Sequence, residues 1–126
     1  MIYLLDTDVL IDLQNRIVST IAFVAGLGAD AVFATAAPIV AELMSGLDAP
    51  ARERAAEVLA DYLYLDVPWE AAVRAGEYRF EAARRGRPMT AADSLIAGVA
   101  WHHGVVLVTR NVRHFPMTDI TVIPPN

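Results

Sequence analysis

Residues 1–10 of the chain read MIYLLDTDVL. The run Met1–Leu5 is short and almost wholly apolar, which is typical of a strand that is buried on both faces of a sheet. Asp6 stands where this strand would end. A carboxylate at the end of a buried strand is costly unless a cation or hydrogen bonds compensate its charge. The opening residues therefore indicate a buried sheet with a polar site at the end of its first strand.

The rest of the chain alternates between helical and strand-like segments. We expect helices from about residue 9, over 19–27, from 36 to about 46, and over 50–62, 69–85 and 90–102, and further strands over 31–34, 64–67, 105–108 and 120–123. Thr35 is expected to cap the helix that has Pro38 in its first turn. Strands separated by helices imply right-handed crossovers. The predicted fold class is therefore α/β, a three-layer α/β/α arrangement with a mainly parallel sheet, in one domain over residues 1–126.

Composition excludes several kinds of chemistry. The chain has 126 residues, 56% of them hydrophobic, and no cysteine. Disulfides, thiolate zinc sites and cysteine nucleophiles are therefore excluded, and a reducing cytoplasm is the expected location. Neither a signal peptide nor an uninterrupted apolar run of about 18 residues is present, so we expect a soluble protein with no membrane contact.

The charge balance opposes general electrostatic binding to nucleic acid, because the net charge is −5. All ten positive side chains are arginine, a residue that binds phosphate in a bidentate manner. Arg85 and Arg87 lie shortly before Asp93, and Arg110 follows a predicted strand. We expect these three arginines to contact a substrate phosphate; for Arg85 and Arg87, a solvated helix end is the alternative.

Four acids are candidates for a site, and each has a structural alternative. Asp6 favours metal binding, whereas Asp8 is expected to cap the next helix. Glu42 lies beside an apolar helical stripe, where a glutamate is usually solvated. The segment 90–93, Thr-Ala-Ala-Asp, is similar to a capping box, in which Asp93 would complement the helix dipole. Spacing alone leaves both functions of Asp93 open.

The candidate ligands are oxygen atoms. Cysteine is absent, and His102 and His103 are adjacent at a predicted helix end, so they point in different directions. Such a set suits Mg²⁺ or Mn²⁺ and disfavours zinc. Carboxylate-bound ions of this kind activate water and stabilise charge on a phosphate, so the expected reaction is phosphoester hydrolysis.

Four segments together resemble one family. They are LLDTDVLI at 4–11, VAEL at 40–43, TAADSLIA at 90–97 and LVTRNVRHF at 107–115. Their order and separation are similar to those of the VapC branch of the PIN-domain family, and the resemblance spans the whole chain. It favours a site role for Glu42 and Asp93 over the structural alternatives.

The resemblance implies a PIN-like fold and a hydrolase, an Mg²⁺- or Mn²⁺-dependent endoribonuclease that is the toxin of a type II toxin/antitoxin pair. It implies a small VapB-type antitoxin as partner, RNA as substrate, and a homodimer as the expected assembly. Asp6, Glu42 and Asp93 match the family's invariant acids, and are therefore the expected metal ligands and catalytic residues. Thr109 matches a threonine that orients a carboxylate or water, and Asn111 its polar neighbour.

One position departs from the family pattern. Many relatives have a fourth acid where this chain has His114, which leaves open whether one or two ions bind. A catalytically weak PIN-like binding module is therefore one alternative. A haloacid-dehalogenase-like phosphatase is another, because a strand followed by Asp6-x-Asp8 resembles its opening motif. Val9-Leu10 in place of Gly-Thr and the absence of lysine oppose the phosphatase.

Overall fold

A computed structural model describes residues 1–126. Five parallel strands form one sheet in the order β3-β2-β1-β4-β5. The strands are β1 Ile2–Leu5, β2 Val32–Ala36, β3 Leu63–Leu65, β4 Val106–Val108 and β5 Thr121–Ile123. The predicted α/β class is confirmed, and the sheet is wholly parallel. The direction of strand addition reverses at β1, and right-handed crossovers therefore place helices on both faces of the sheet.

Six helices connect the strands: α1 Thr7–Gln14, α2 Val18–Gly26, α3 Ala37–Ser45, α4 Ala49–Leu59, α5 Trp69–Arg84 and α6 Ala91–His103. A single turn of 3-10 helix follows β4 at Val112–His114. None of the six helices is both long enough and apolar enough to span a membrane. Only α1 and α2 taken together meet both criteria, and this pair is bent by 113°.

The central position of β1 explains its apolar sequence. Leu4 pairs with Ala34 of β2 on one side and with Leu107 of β4 on the other. All three side chains are fully buried, and they belong to one continuous hydrophobic core. Helices cover both faces of such a strand; Leu4 and Leu5 are fully buried, and Ile2 and Tyr3 are partly buried.

Two expected helix starts are wrong. Thr35 is not a cap: it lies inside β2, opposite Tyr64 of β3, and Ala36 is the residue before α3. Pairing with β3 continues β2 to Ala36. Pro38 lies in the first turn of α3, where a backbone N–H has no partner within the helix, so proline's missing N–H costs nothing. Asp8 is not a cap either, because α1 begins at Thr7 and Asp6 takes that position.

Gly98 allows α6 to lie close to α5. A Cβ atom at position 98 would meet the carbonyl oxygen of Ala71, and it would lie 3.3 Å from the Cβ of Ala75. The opposing atom is backbone, which cannot rotate away as the end of a side chain can. This close approach fixes the position of α6, the helix that carries Asp93 in its first turn.

We expect Gly98→Ala to lower the free energy of unfolding by about 1–3 kcal/mol, because the added methyl group forces the two helices apart. Gly76→Ala in α5 is the matched control: a Cβ there meets nothing within 4 Å, so the variant should gain up to about 1 kcal/mol from helix propensity. Urea denaturation measures both variants. A Gly98→Ala protein as stable as the parent would contradict the close packing of α5 and α6.

Candidate metal centre

The carboxyl ends of β1 and β4 place Asp6 and Thr109 side by side. The Thr109 hydroxyl donates a hydrogen bond of 2.8 Å to Asp6 Oδ2, and the Thr7 backbone N–H donates one of 2.8 Å to Asp6 Oδ1. Thr109 is fully buried and Asp6 is 6% exposed. The Thr109 oxygen also accepts a bond from the Asn111 backbone N–H. Asp6 is therefore held in one orientation at the edge of the sheet.

Asp8 binds the loop that follows β4. Its Oδ2 accepts hydrogen bonds from the Arg110 backbone N–H at 3.0 Å and from Asn111 Nδ2 at 3.4 Å. Its Oδ1 is buried and has no hydrogen-bond partner in the protein. A buried carboxylate oxygen without a partner is costly, and a bound cation or water would compensate it. Asp8 therefore belongs to the polar site and not to a helix cap.

Glu42 and Asp93 approach this edge from α3 and α6. The Thr7 hydroxyl donates to Glu42 Oε1 at 3.4 Å. In α6, Thr90 caps the helix by accepting a bond from the Asp93 backbone N–H, so the predicted cap exists. The Asp93 carboxylate takes no part in that cap; its Oδ2 lies 3.6 Å from His114 Nδ1. His102 and His103 lie at the opposite end of α6.

Three of these acids, Asp6, Asp8 and Glu42, have raised pKa values. The pKa of Asp6 is raised to about 6, mainly by burial and to a smaller extent by the charges of Asp8 and Asp93, while the hydrogen bonds from Thr109 and Thr7 oppose the rise. Burial also raises the pKa of Glu42, as do the charges of Asp93 and Asp8. The pKa of Asp8 is raised by burial and lowered by the Arg110 backbone. The four acids, Asp6, Asp8, Glu42 and Asp93, therefore share one electrostatic site that favours a positive charge.

The residues fit a hydrated magnesium or manganese ion. Their donors are oxygen atoms, and Asp8 Oδ1 has no other partner. No group of three or more histidine, aspartate or glutamate side chains is close enough to form a closed metal cage. Mg²⁺ usually keeps several waters and binds one or two carboxylates plus substrate phosphate. The arrangement therefore suits an open site and not a fully protein-ligated one.

A polar recess of about 400 Å³ opens beside Asp93. Arg87, Arg113 and His114 line it together with this acid. Arg85 and Arg87 line a neighbouring recess of about 230 Å³. Of the expected pair, Arg87 therefore shares a recess with Asp93, whereas Arg85 lines only the neighbouring one.

The third expected arginine is engaged by acids. The Arg110 guanidinium lies 3.3 Å from Asp12 and 4.0 Å from Asp8. Asp12 is 4% exposed and also accepts a bond of 2.8 Å from the Thr20 hydroxyl. Arg110 therefore neutralises the acids of α1, and its guanidinium is not free for phosphate in this structure.

Sequence reasoning missed Asp12 and Arg113, and it assigned Asp8 to the wrong role. Asp8 and Asp12 are four residues apart, so they share one face of α1. That spacing, with Arg110 as a nearby cation, was the available signal for the pair. Arg113 lies in the 3-10 turn after β4, and no regular pattern indicates the direction of a side chain in such a turn.

Comparison with known proteins gives the family. The PIN domain profile matches residues 3–119. The chain belongs to the PIN-domain family. This membership confirms the resemblance that the four segments indicated, and the PIN fold agrees with the parallel sheet described above.

Similar PIN proteins include a curated "tRNA(fMet)-specific endonuclease VapC" of Salmonella typhimurium. It is 45% identical over 51 residues, which cover 40% of this chain and 39% of that protein. The aligned segment thus spans about two fifths of the curated relative. A solved structure of VapBC-1 from nontypeable Haemophilus influenzae has a TM-score of 0.83 and 26% identity, and 99% of this chain and 98% of that chain are covered.

A second solved structure is VapBC-5 from Mycobacterium tuberculosis, described as a member of the VapBC family of toxin-antitoxin systems. Its TM-score is 0.69 at 26% identity, and the match covers 98% of each chain. The whole PIN domain, from β1 to β5, therefore has counterparts in VapBC structures.

The raised pKa of Asp6 predicts a pH dependence of stability in the metal-free protein. Its ordinary value of 3.8 applies to the unfolded chain, and the folded value is about 6. Between these values the folded state binds more protons, so stability falls as pH rises through this range, by up to about 3 kcal/mol.

Asp6→Asn removes this charge, so the variant in EDTA should be more stable than the parent at pH 7.5 and no more stable at pH 4. Thermal melts across this pH range measure the effect. Asp30→Asn, at an exposed position, is the control and should follow the parent. Identical pH profiles for the parent and Asp6→Asn would contradict the electrostatic strain at Asp6.

Proposed function

We propose that this PIN domain is a metal-dependent endoribonuclease and the toxin of a toxin/antitoxin pair. The observation that carries the proposal is the meeting of Asp6, Glu42 and Asp93 at one sheet edge, with raised pKa values for Asp6 and Glu42. These acids come from three distant segments of the sequence. Without a compensating cation these acids repel one another, which lowers stability. A purely structural role would not explain such an arrangement, whereas a functional site would.

Of Asp6, Glu42 and Asp93, one or two would bind the ion directly and the rest through its waters, with Asp8 Oδ1 beside them. A bound Mg²⁺ or Mn²⁺ would lower the pKa of a water and neutralise charge on the phosphate. Hydrolysis then adds the water oxygen to phosphorus, and the leaving ribose oxygen takes up a proton. Thr109 keeps Asp6 oriented through its 2.8 Å hydrogen bond, and Asn111 and the Arg110 backbone do the same for Asp8.

The phosphatase alternative is disfavoured by the surroundings of Asp6. A nucleophilic aspartate must present a free carboxylate oxygen to the substrate phosphorus. Both oxygens of Asp6 accept hydrogen bonds, from Thr7 and Thr109, and the residue is 6% exposed. These contacts leave Asp6 without the free, exposed oxygen of a nucleophile, which supports the nuclease over the phosphatase.

The proposed partner is a small antitoxin of the VapB type. Support comes from the similar VapBC structures and from two apolar surfaces on this chain. A recess of about 390 Å³ between α1, α3 and α4 is lined mainly by Leu10, Leu13, Leu43, Leu47, Val58 and Leu59. Nearby, Ile17, Val18 and Ile21 of the α2 region are 41%, 79% and 42% exposed. Exposed apolar surface of this kind is typical of a protein-binding face.

Asp93→Asn tests the catalytic proposal. The variant keeps the Thr90 cap and the side-chain shape but loses the charge that a cation requires, so RNA cleavage should fall at least a hundredfold. Asp61→Asn, which removes the same charge from an exposed position, should cleave as the parent does. Cleavage of single-stranded RNA by the purified proteins is measured with Mg²⁺ or Mn²⁺, and again after EDTA.

Circular dichroism confirms that the Asp93→Asn variant is folded. Its expression without antitoxin should no longer arrest growth, whereas it should still co-purify with the antitoxin, because that contact uses apolar surface. Full cleavage by Asp93→Asn, or full cleavage by the parent after exhaustive chelation, would reject the metal-dependent mechanism.

A further inference from the structure

Outside the four acids of the candidate metal centre, one buried carboxylate is paired with an arginine. One oxygen of Asp12, on α1, lies 3.3 Å from the Arg110 guanidinium. The other oxygen accepts a hydrogen bond of 2.8 Å from the Thr20 hydroxyl of α2. Asp12 and Thr20 are both buried. The Asp12 carboxylate is therefore held from two sides, and the Arg110 guanidinium is its only partner of opposite charge.

The same guanidinium lies close to the candidate metal centre. Its Nε is 4.0 Å from Asp8 Oδ2, and the Arg110 backbone N–H donates to that oxygen. The preceding residue, Thr109, donates to Asp6. The Arg110 side chain is 54% exposed, so packing leaves it room to change rotamer. Arg110 is therefore a cation of the protein itself that can compete with a metal ion for these acids.

The charges of Arg110 and Asp12 act on Asp8 in opposite directions. Burial is the main cause that raises the pKa of Asp8, while the Arg110 charge lowers it and the Asp12 charge raises it. Arg110 thus already compensates part of the Asp8 charge. The guanidinium nevertheless lies nearer to Asp12 than to Asp8. Its position between the two carboxylates therefore depends on the charge of Asp12.

We propose that Asp12 is a positioning residue that holds the Arg110 guanidinium away from the metal acids. While Asp12 binds the guanidinium, Asp8 Oδ1 has no protein partner and is left for an ion or its water. Without the Asp12 charge, the guanidinium turns to Asp8 and Asp6 and takes the place of a bound cation. This role rests on the proposed metal site. It explains why a charge is buried at position 12, where an apolar side chain would avoid the cost of burial.

A purely structural role for Asp12 makes a different prediction. Its hydrogen bond with Thr20 also joins α1 to α2. If that contact were the whole function of Asp12, its removal would lower stability in the same way whatever residue stands at position 110. Changing Asp12 and Arg110 singly and together separates the two roles, because residues that act through each other have non-additive effects.

The test measures the affinity of the purified protein for Mn²⁺ alone, from the electron paramagnetic resonance signal of the free ion, with no RNA present. Asp12→Asn keeps the side-chain shape and can still accept the Thr20 bond, and it should weaken Mn²⁺ binding about tenfold. Arg110→Gln should bind Mn²⁺ up to about threefold more tightly than the parent, because it removes a competing charge. In the Arg110→Gln background, Asp12→Asn should weaken binding by less than about twofold.

Thr20→Val is the matched control, because it removes the contact between α1 and α2 and keeps the Asp12 charge. Its melting temperature should fall, while its Mn²⁺ affinity should stay within about twofold of the parent. Asp12→Ser replaces the same charge with a smaller polar group and should lose as much affinity as Asp12→Asn, so the test does not depend on the folding of one variant. Circular dichroism confirms the fold of each protein.

Three results would overturn the role of Asp12. The first is an unchanged Mn²⁺ affinity in Asp12→Asn and Asp12→Ser. The second is an equal loss from Asp12→Asn with and without Arg110, because Asp12 would then act through its own charge or through the fold. The third is an equal loss in Thr20→Val, which would assign the effect to the contact between the helices.

The two proposals fail in different ways. A parent protein that binds no Mn²⁺ would reject the metal site and the role of Asp12 together. Metal-dependent RNA cleavage by the parent, with an Mn²⁺ affinity that the Asp12 variants leave intact, would retain the endonuclease and reject the positioning role.

Discussion

A buried side-chain hydrogen bond, from the Thr109 hydroxyl to the Asp6 carboxylate, joins the ends of the neighbouring strands β1 and β4. Parallel pairing of β1 with β4 brings these residues together, although 103 positions separate them in the sequence. The bond only partly compensates Asp6 for its burial, as the raised pKa near 6 shows. The fold therefore holds a carboxylate in a place where its charge is unfavourable without a cation, and such strain is typical of functional sites.

The other three acids add further uncompensated negative charge around Asp6. Asp8 contributes a buried oxygen without a partner, while Glu42 and Asp93 contribute charge from α3 and α6. His114 lies beside Asp93 at the position where the family resemblance placed a fourth acid. An imidazole there adds no permanent negative charge, so this site carries less charge for a second ion than a four-acid site.

Much of the fold could be predicted from sequence, because its signals are local. The apolar run before Asp6 predicted the central strand, and the capping-box segment at 90–93 predicted the start of α6. The failures at Thr35 and Asp8 have a different cause. Threonine is a common N-cap residue, which is why Thr35 was expected to cap α3. Pairing with β3 instead extends β2 beyond Thr35. Asp8 is held by a loop more than one hundred residues away, and no local pattern contains that contact.

The site was predicted only in part, because contacts between distant segments form it. Residue spacing left both a structural and a functional role open for Glu42 and Asp93. The family resemblance favoured the functional role. The structure brings both near Asp6, which is compatible with metal binding and leaves their roles as ligands a prediction. The position of Arg113 beside Asp93 depends on tertiary packing, which sequence periodicity does not describe.

Anomalous diffraction from crystals soaked in manganese chloride tests the metal assignment most directly, because it locates the ion without relying on activity. The assignment predicts a manganese peak at about 2.2 Å from carboxylate oxygens of Asp6 or Asp93, with waters in the remaining positions of its shell. The absence of a peak among the four acids at saturating manganese, or a peak only elsewhere on the protein, would contradict it.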